Sequence, residues 1–470
     1  MLRSKVAAIT IGTLGLVSLP QYHAAMSKVP TRVARLRLCG ALLLVLSAAV
    51  GEAWGQGAGS TVATPVIGPT SWWNRTVMRS GSASPSRFYA VRSDLPEAET
   101  RELARRLDLM HAEYQKRLAG LEQRVPGQLN VFMFARERDY LDTLRSQFGA
   151  DVAGSGGVFF ITPRGAGLAF FSEGVPRSRL HHVIQHEGFH QVANTRFGTD
   201  LPQWVDEGLA EFFGEAVVVG SEVIIGQSGA RTIKAIQDAI EAGTTIPFLD
   251  MVTMSQEAWN RRVQAGDATL QYQQAWSMVH FLVYGEGGKY RGAFERYLRF
   301  LNNGASSADA FGRAFGTTDL AAFEQRWKAY ALAAKPGATV TAAERLRFLA
   351  EGLQALLAEG QRPQDFAELR RLLTEKRFSI SLDHHGHKVS LTAEDPSIFD
   401  IPDDEHSKVP PVFELVPFKG RGLSLREKRI EDANPTPPCI VTSGLRPREL
   451  QVRWRRLEGS GRFEYDIVAR

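Results

Sequence analysis

Cysteine is almost absent from this chain of 470 residues: Cys39 and Cys439 are the only two. Cys39 falls inside an N-terminal segment that reads as a leader and lacks the flanks of a lipid-attachment site. One thiol then remains and no internal disulfide is open to it, so the fold rests on its apolar core, for which a 44% hydrophobic composition is ample. Membrane-length apolar runs are missing too. Leu38 to Val50 spans thirteen residues, short of the roughly 20 that a spanning helix needs. With Lys28, Arg32, Arg35 and Arg37 before it and Ala53-Trp54-Gly55 after it, this run has the layout of a signal peptide, and Met26 offers a second start. An uncleaved anchor is the other reading. Net charge is also lacking beyond the leader. Residues 1–56 hold six Lys/Arg and one Asp/Glu, and the rest of the chain has 50 of each, so the whole +5 sits in the leader. A neutral mature chain gives no ground for nucleic acid or an anionic membrane surface as partner. No internal repeat is evident.

After a leader over 1–55, residues 56–84 are rich in Gly, Ser, Thr and Pro and read as a flexible linker. Strand and helix signals then alternate. Phe88–Val91 and Leu129–Phe134 read as strands, Glu97–Leu118 as a helix, and Val158–Ile161 with Leu168–Phe171 as a strand pair. A hairpin is expected over Val217–Ile225, and mainly helix from there to Ala334. The first domain is therefore α+β over 85–335, with a helical connector over 336–377 and a small β-rich domain over 378–470. The histidine-rich stretch Asp383–His387 and the acidic Asp403-Asp404-Glu405 read as exposed turns without a role.

The chemistry is concentrated in two stretches. His186-Glu187-Gly188-Phe189-His190 sits between Pro176, which opens a helix, and Gly198, which closes it, with Leu180, Val183, Ile184 and Val192 at helical spacing. Residues four apart share a helix face, so His186 and His190 present two imidazoles to one ion while Glu187 lies beside it as a base. His182 extends the ladder by one more turn, too far along to share that ion. Fourteen residues after His190 begins Trp204-Val205-Asp206-Glu207-Gly208-Leu209-Ala210-Glu211-Phe212-Phe213, with Leu209, Phe212 and Phe213 as an apolar stripe and Glu207 and Glu211 together on the other side. A third ligand comes from this second helix. Glu207 is the obvious one, and Glu211 is either its competitor or the partner of an imidazole N–H.

At these residues the chain resembles the gluzincin zinc metallopeptidases, peptidase MA-like branch, whose pattern is HExxH followed by a helix with the signature W-x-x-E-G-x-A-E. The likeness covers residues 85–335. It implies a zincin-like metallopeptidase domain, one Zn2+ held by His186, His190 and Glu207, Glu187 as general base, and Tyr272 as donor to the oxyanion. A core aromatic is the other reading of Tyr272, and His280 is a weaker candidate for the same task. The strand Gly156–Ile161 carries no carboxylate to capture a free amine, so an aminopeptidase is not implied. The expectation is a secreted, periplasmic or cell-envelope hydrolase acting on a peptide or protein substrate. Two alternatives stand beside it: a catalytically inactive zincin-fold module for envelope binding or assembly, and a zinc amidase acting on cell-wall peptide.

Overall fold

The computed structural model describes residues 86–121, 127–198, 201–384, 387–403, 407–418, 434–456 and 463–470. The expected leader and linker, Cys39, His385 and the Asp404-Glu405 pair lie outside them. Four short apolar runs near the start form one sheet. Strand β1 (Tyr89–Ser93) leads through helix α1 (Glu97–Arg117) to a parallel neighbour β2 (Leu129–Phe134), a βαβ unit. The hairpin β3 (Gly157–Thr162) and β4 (Gly165–Phe171) completes the order β1-β2-β4-β3, with β4 parallel to β2 and β3 antiparallel at the edge. Alternation along the strands divides the side chains between two cores. Val131, Met133, Leu168 and Phe170 face the main core with Leu103, Leu107, Met110 and Tyr114 of α1. Phe132, Phe134, Ala169 and Phe171 turn the other way, into a small core closed by Tyr140, Leu144 and Phe148.

Helices α3 (Arg177–Phe197) and α4 (Gln203–Gly214) follow, and α2 (Glu137–Thr143) lies before them. Pro176 caps α3 at its start, and Gly198, at φ 66°, ends it. Two glycines bring these helices close to their neighbours. A Cβ on Gly157 would stand 2.5 Å from Val183 Cγ1, so the edge strand accepts α3 only because that position is bare. The hairpin β5 (Val217–Val219) and β6 (Glu222–Ile224) comes next, followed by α5 (Ala230–Glu241), α6 (Phe248–Thr253), α7 (Gln256–Arg262), α8 (Ala268–Gly288), α9 (Arg291–Asn302), α10 (Ser307–Phe315) and α11 (Leu320–Ala333). Helix α4 packs on α8 at Gly208, where a Cβ would stand 2.6 Å from the Ala275 carbonyl oxygen.

A second core gathers around α12 (Ala338–Ala358), whose Leu346, Leu349, Leu353 and Leu356 are fully buried. After α13 (Phe366–Glu375) and the hairpin β7 (Ser379–His384) and β8 (His387–Thr392), an antiparallel sheet supplies Phe413, Ile440, Leu450 and Val452 to that core. Its strands are β9 (Val412–Val416), β10 (Cys439–Ser443), β11 (Leu450–Arg456) and β12 (Phe463–Ala469), in the order β12-β11-β10-β9. Val219 of β5 belongs to this second core, and Glu222 of β6 is paired with Arg448, so the β5–β6 hairpin fastens the two parts. The chain is mixed α+β. Among the described residues no helix is long and apolar enough to cross a membrane.

Gly208→Ala is expected to destabilise the fold by about 1–3 kcal/mol through overpacking, read as a lower urea midpoint at unchanged m. An unchanged midpoint would contradict the close contact between α4 and α8.

Candidate metal centre

The two histidines and the carboxylates meet where α3 crosses α4. Gln185 locks the pair, its side-chain amide donating to the carbonyls of Gly214 and Ala216 at 2.9 Å, while Tyr114 Oη donates to the Gln185 carbonyl at 2.6 Å. Within the crossing, His186 Nε2 and His190 Nε2 lie 3.2 Å apart, and Glu207 Oε2 is 3.4 Å from the first and 3.3 Å from the second. Two ligand atoms about 2.0–2.2 Å from one ion at the tetrahedral angle are separated by about 3.3–3.6 Å, so the triangle has the dimensions of a zinc site. His186, His190 and Glu207 are all at 3% exposure or less.

Each imidazole is held from behind. His190 Nδ1 lies 3.1 Å from Asp206 Oδ1, and His186 Nδ1 lies 3.1 Å from Glu211 Oε1. A ring that donates Nδ1–H to a carboxylate leaves the lone pair of Nε2 pointing inward; the His190–Asp206 contact is such a hydrogen bond, and Glu211 faces the His186 ring as an ion-pair partner. Three electron-rich atoms then converge in a buried space, which is repulsive without a cation among them. Glu207 Oε2 makes no well-formed hydrogen bond of its own. The residues present thus fit a divalent metal with nitrogen and oxygen ligands.

Glu211 thus faces the His186 ring, the position that the second of its two sequence readings needs. It also reaches His182, whose Nε2 is 3.5 Å from Glu211 Oε2. A second group, His182, His186 and Glu211, also has spacing that would suit a metal, and it shares His186 with the first. A neutral imidazole has one lone pair, so the two groups exclude each other and the triangle with two imidazole Nε2 atoms is the coherent one.

Electrostatics follow the same geometry. Burial works against the charge on Glu207, yet His190 and His186 hold its carboxyl below the usual range. Burial lowers His186 as well, but Glu211 and Glu207 overcome it and raise the ring to about 9. Glu187 behaves oppositely: burial lifts its carboxyl to about 7, against the pull of His186, His190 and the Phe159 N–H. That N–H belongs to the edge strand β3 and donates to Glu187 Oε2 at 2.9 Å.

Tyr272, read from the sequence as an oxyanion donor or else a core aromatic, is buried. It lies in α8, 6% exposed in the main core, with its ring edge-on to Trp259 at 5.5 Å. His280 is a satisfied helix histidine, its Nε2 3.0 Å from the Gly226 carbonyl and its Nδ1 2.7 Å from Tyr330 Oη. Sequence reasoning gave Asp206 no role. Its signal was adjacency: one residue before Glu207 on α4 it lies about 100° round the helix, enough to meet the far edge of the His190 ring. The expected apolar stripe of α4 was too narrow a picture, since every residue from Gln203 to Gly214 is buried. The carboxylates face α3 rather than water.

Fold and site together define an α+β protein in which two crossed helices build a buried histidine–carboxylate centre fit for a metal. A family model described as "Protein of unknown function (DUF1570)" matches residues 182–308, a span that begins at His182 and takes in α4 and α8. No curated protein matches the chain.

Zinc titration of metal-stripped protein is expected to saturate at one ion per chain. Glu207→Ala should abolish tight binding, whereas Glu211→Ala and Asp206→Asn should weaken it by about 10–100-fold. Glu211→Ala abolishing binding while Glu207→Ala retains it would reverse the assignment.

Proposed function

We propose that this chain is a zinc-dependent metallopeptidase of the gluzincin type, exported from the cytoplasm and acting on peptide bonds. The observation that carries the reading is the convergence of His186 Nε2, His190 Nε2 and Glu207 Oε2 within 3.4 Å of one another, with Glu187 on the same helix turn. A bound zinc would polarise a substrate carbonyl and supply a water acidic enough to react near neutral pH. Glu187 takes a proton on its carboxylate and later delivers it to the leaving amine. The Phe159 N–H fixes Glu187 Oε2 and leaves Oε1 to carry that proton. Asp206 and Glu211 keep the two rings in the tautomer that binds metal. Tyr272, on the helix that packs against α4, is the proposed donor to the oxyanion, a role that its burial makes dependent on movement of α8. Export rests on the signal-peptide layout of residues 28–55.

One observation favours the second reading, a zincin-fold module that binds or assembles without turnover. His186, Glu187, His190 and Glu207 are all buried, which gives a substrate little direct access to the centre. Glu187 argues the other way, because a closed structural site has no use for a buried carboxylate beside its ligands.

The zinc-loaded protein and Glu187→Gln, each incubated with a diverse peptide mixture and read by mass spectrometry, separate the two. Peptidase action predicts cleavage that falls by about 10²–10⁴-fold in Glu187→Gln at unchanged zinc content. No cleavage beyond the Glu187→Gln background would sink the peptidase reading and leave the closed module.

A further inference from the structure

A cavity of about 750 Å3 opens where the start of α3 faces α12 and β12, with walls drawn from both large cores. Its size lies in the range of small-molecule sites, about 300–1,000 Å3. Valines 217, 219 and 340 supply part of the lining. Three of the six arginines around it are matched by carboxylates: Arg177 by Glu99 and Glu102, Arg231 by Glu344, and Arg455 by Glu464. Arg106, Arg179 and Arg347 are not matched among the described residues, and of these Arg106 and Arg347 are the ones that burial holds against their charge. Among the described residues Arg347 makes no hydrogen bond or ion pair, and Arg106 has one neutral partner, Gln185 Oε1 at 3.0 Å, while its buried Nε has none. Asp466 lies close enough for its charge to be felt at both guanidiniums, yet no carboxylate oxygen among the described residues comes within 4.0 Å of either.

Two further facts point the same way. His181 Nε2, on the same wall, is buried without a hydrogen bond, and its carboxylate neighbour Glu102 is 3.6 Å away. Burial brings Arg106 down to about 10 and lowers Arg347 as well, so both cations are held in protein with less compensation than water would give. Nearby Glu351 is already engaged by Tyr465 Oη at 2.9 Å. A guanidinium presents a planar fork of N–H donors that matches the oxygens of a carboxylate or phosphate.

We propose that this cavity is a binding site for a small oxyanion, a carboxylate or phosphate group held by Arg106 and Arg347 with His181 beside them, and with the valine-lined space taking an organic remainder. The site is separate from the metal ligands and stands whether or not the chain is a peptidase. Because its donors come from α1, α3 and α12, an anion there ties the first core to the second.

The test uses the full chain with two probes, glutarate and inorganic phosphate, against chloride at equal ionic strength, followed by calorimetric titration and thermal unfolding. At least one probe is expected to saturate at one per chain and to raise the unfolding midpoint, and which one does so identifies the anion class. Arg347→Gln and Arg106→Gln should each weaken that binding at least tenfold at unchanged zinc content. Without probe, Arg347→Gln should melt no lower than the natural chain, since no partner is lost. Neither probe acting beyond chloride would overturn the proposal, as would variants that bind like the natural chain. So would an Arg347→Gln protein that is destabilised without probe, which would make the arginine a structural partner of Asp466.

Discussion

Three ligand atoms drawn together inside a protein favour a cation among them, and the crossing of α3 and α4 is where this chain brings them together. His186 Nε2, His190 Nε2 and Glu207 Oε2 would repel one another if left alone, with Asp206 and Glu211 each holding a ring from behind. Three carboxylates against two imidazoles make the crossing anionic before any ion is counted. Burial then amplifies the imbalance, because a charge taken out of water needs a partner close by.

Much of the surrounding structure serves to hold that crossing rigid. Gly157 lets α3 lie against the edge strand closely enough for the Phe159 N–H to reach Glu187, and Gly208 lets α4 sink onto α8. Gln185 ties α3 to the carbonyl end of α4 one residue before the first imidazole. Each is a short-range contact, so the centre is built from packed helices and one strand rather than from loops, which suits a site that must keep ligand atoms within a few tenths of an ångström.

The features legible in the sequence are those with a local period. Pro176, Gly198 and the apolar spacing between them marked α3; the four-residue step placed His186 over His190; the short apolar run Leu129–Phe134 marked β2. Glu207 and Glu211 shared a face as expected, since four residues advance a helix by little more than one turn. What escaped depends on contacts between distant segments. The burial of α4 on every side follows from α3 and α8 flanking it, so a one-sided apolar stripe misjudged it. Asp206 acquires a partner only because His190 comes from another helix. The arginine cavity draws on positions 106, 181 and 347, which no sequence window spans. Tyr272 was singled out by resemblance with a core aromatic as its other reading, and the Trp259 ring it packs on comes from α7, a separate segment.

X-ray absorption at the zinc edge of the zinc-loaded protein tests the central claim most directly, because it counts ligands without reference to any substrate. The account predicts two imidazoles and oxygen ligands at about 2.0–2.2 Å, with one oxygen lost in Glu207→Ala. Three imidazoles, or a ligand shell that Glu207→Ala leaves unchanged, would contradict it.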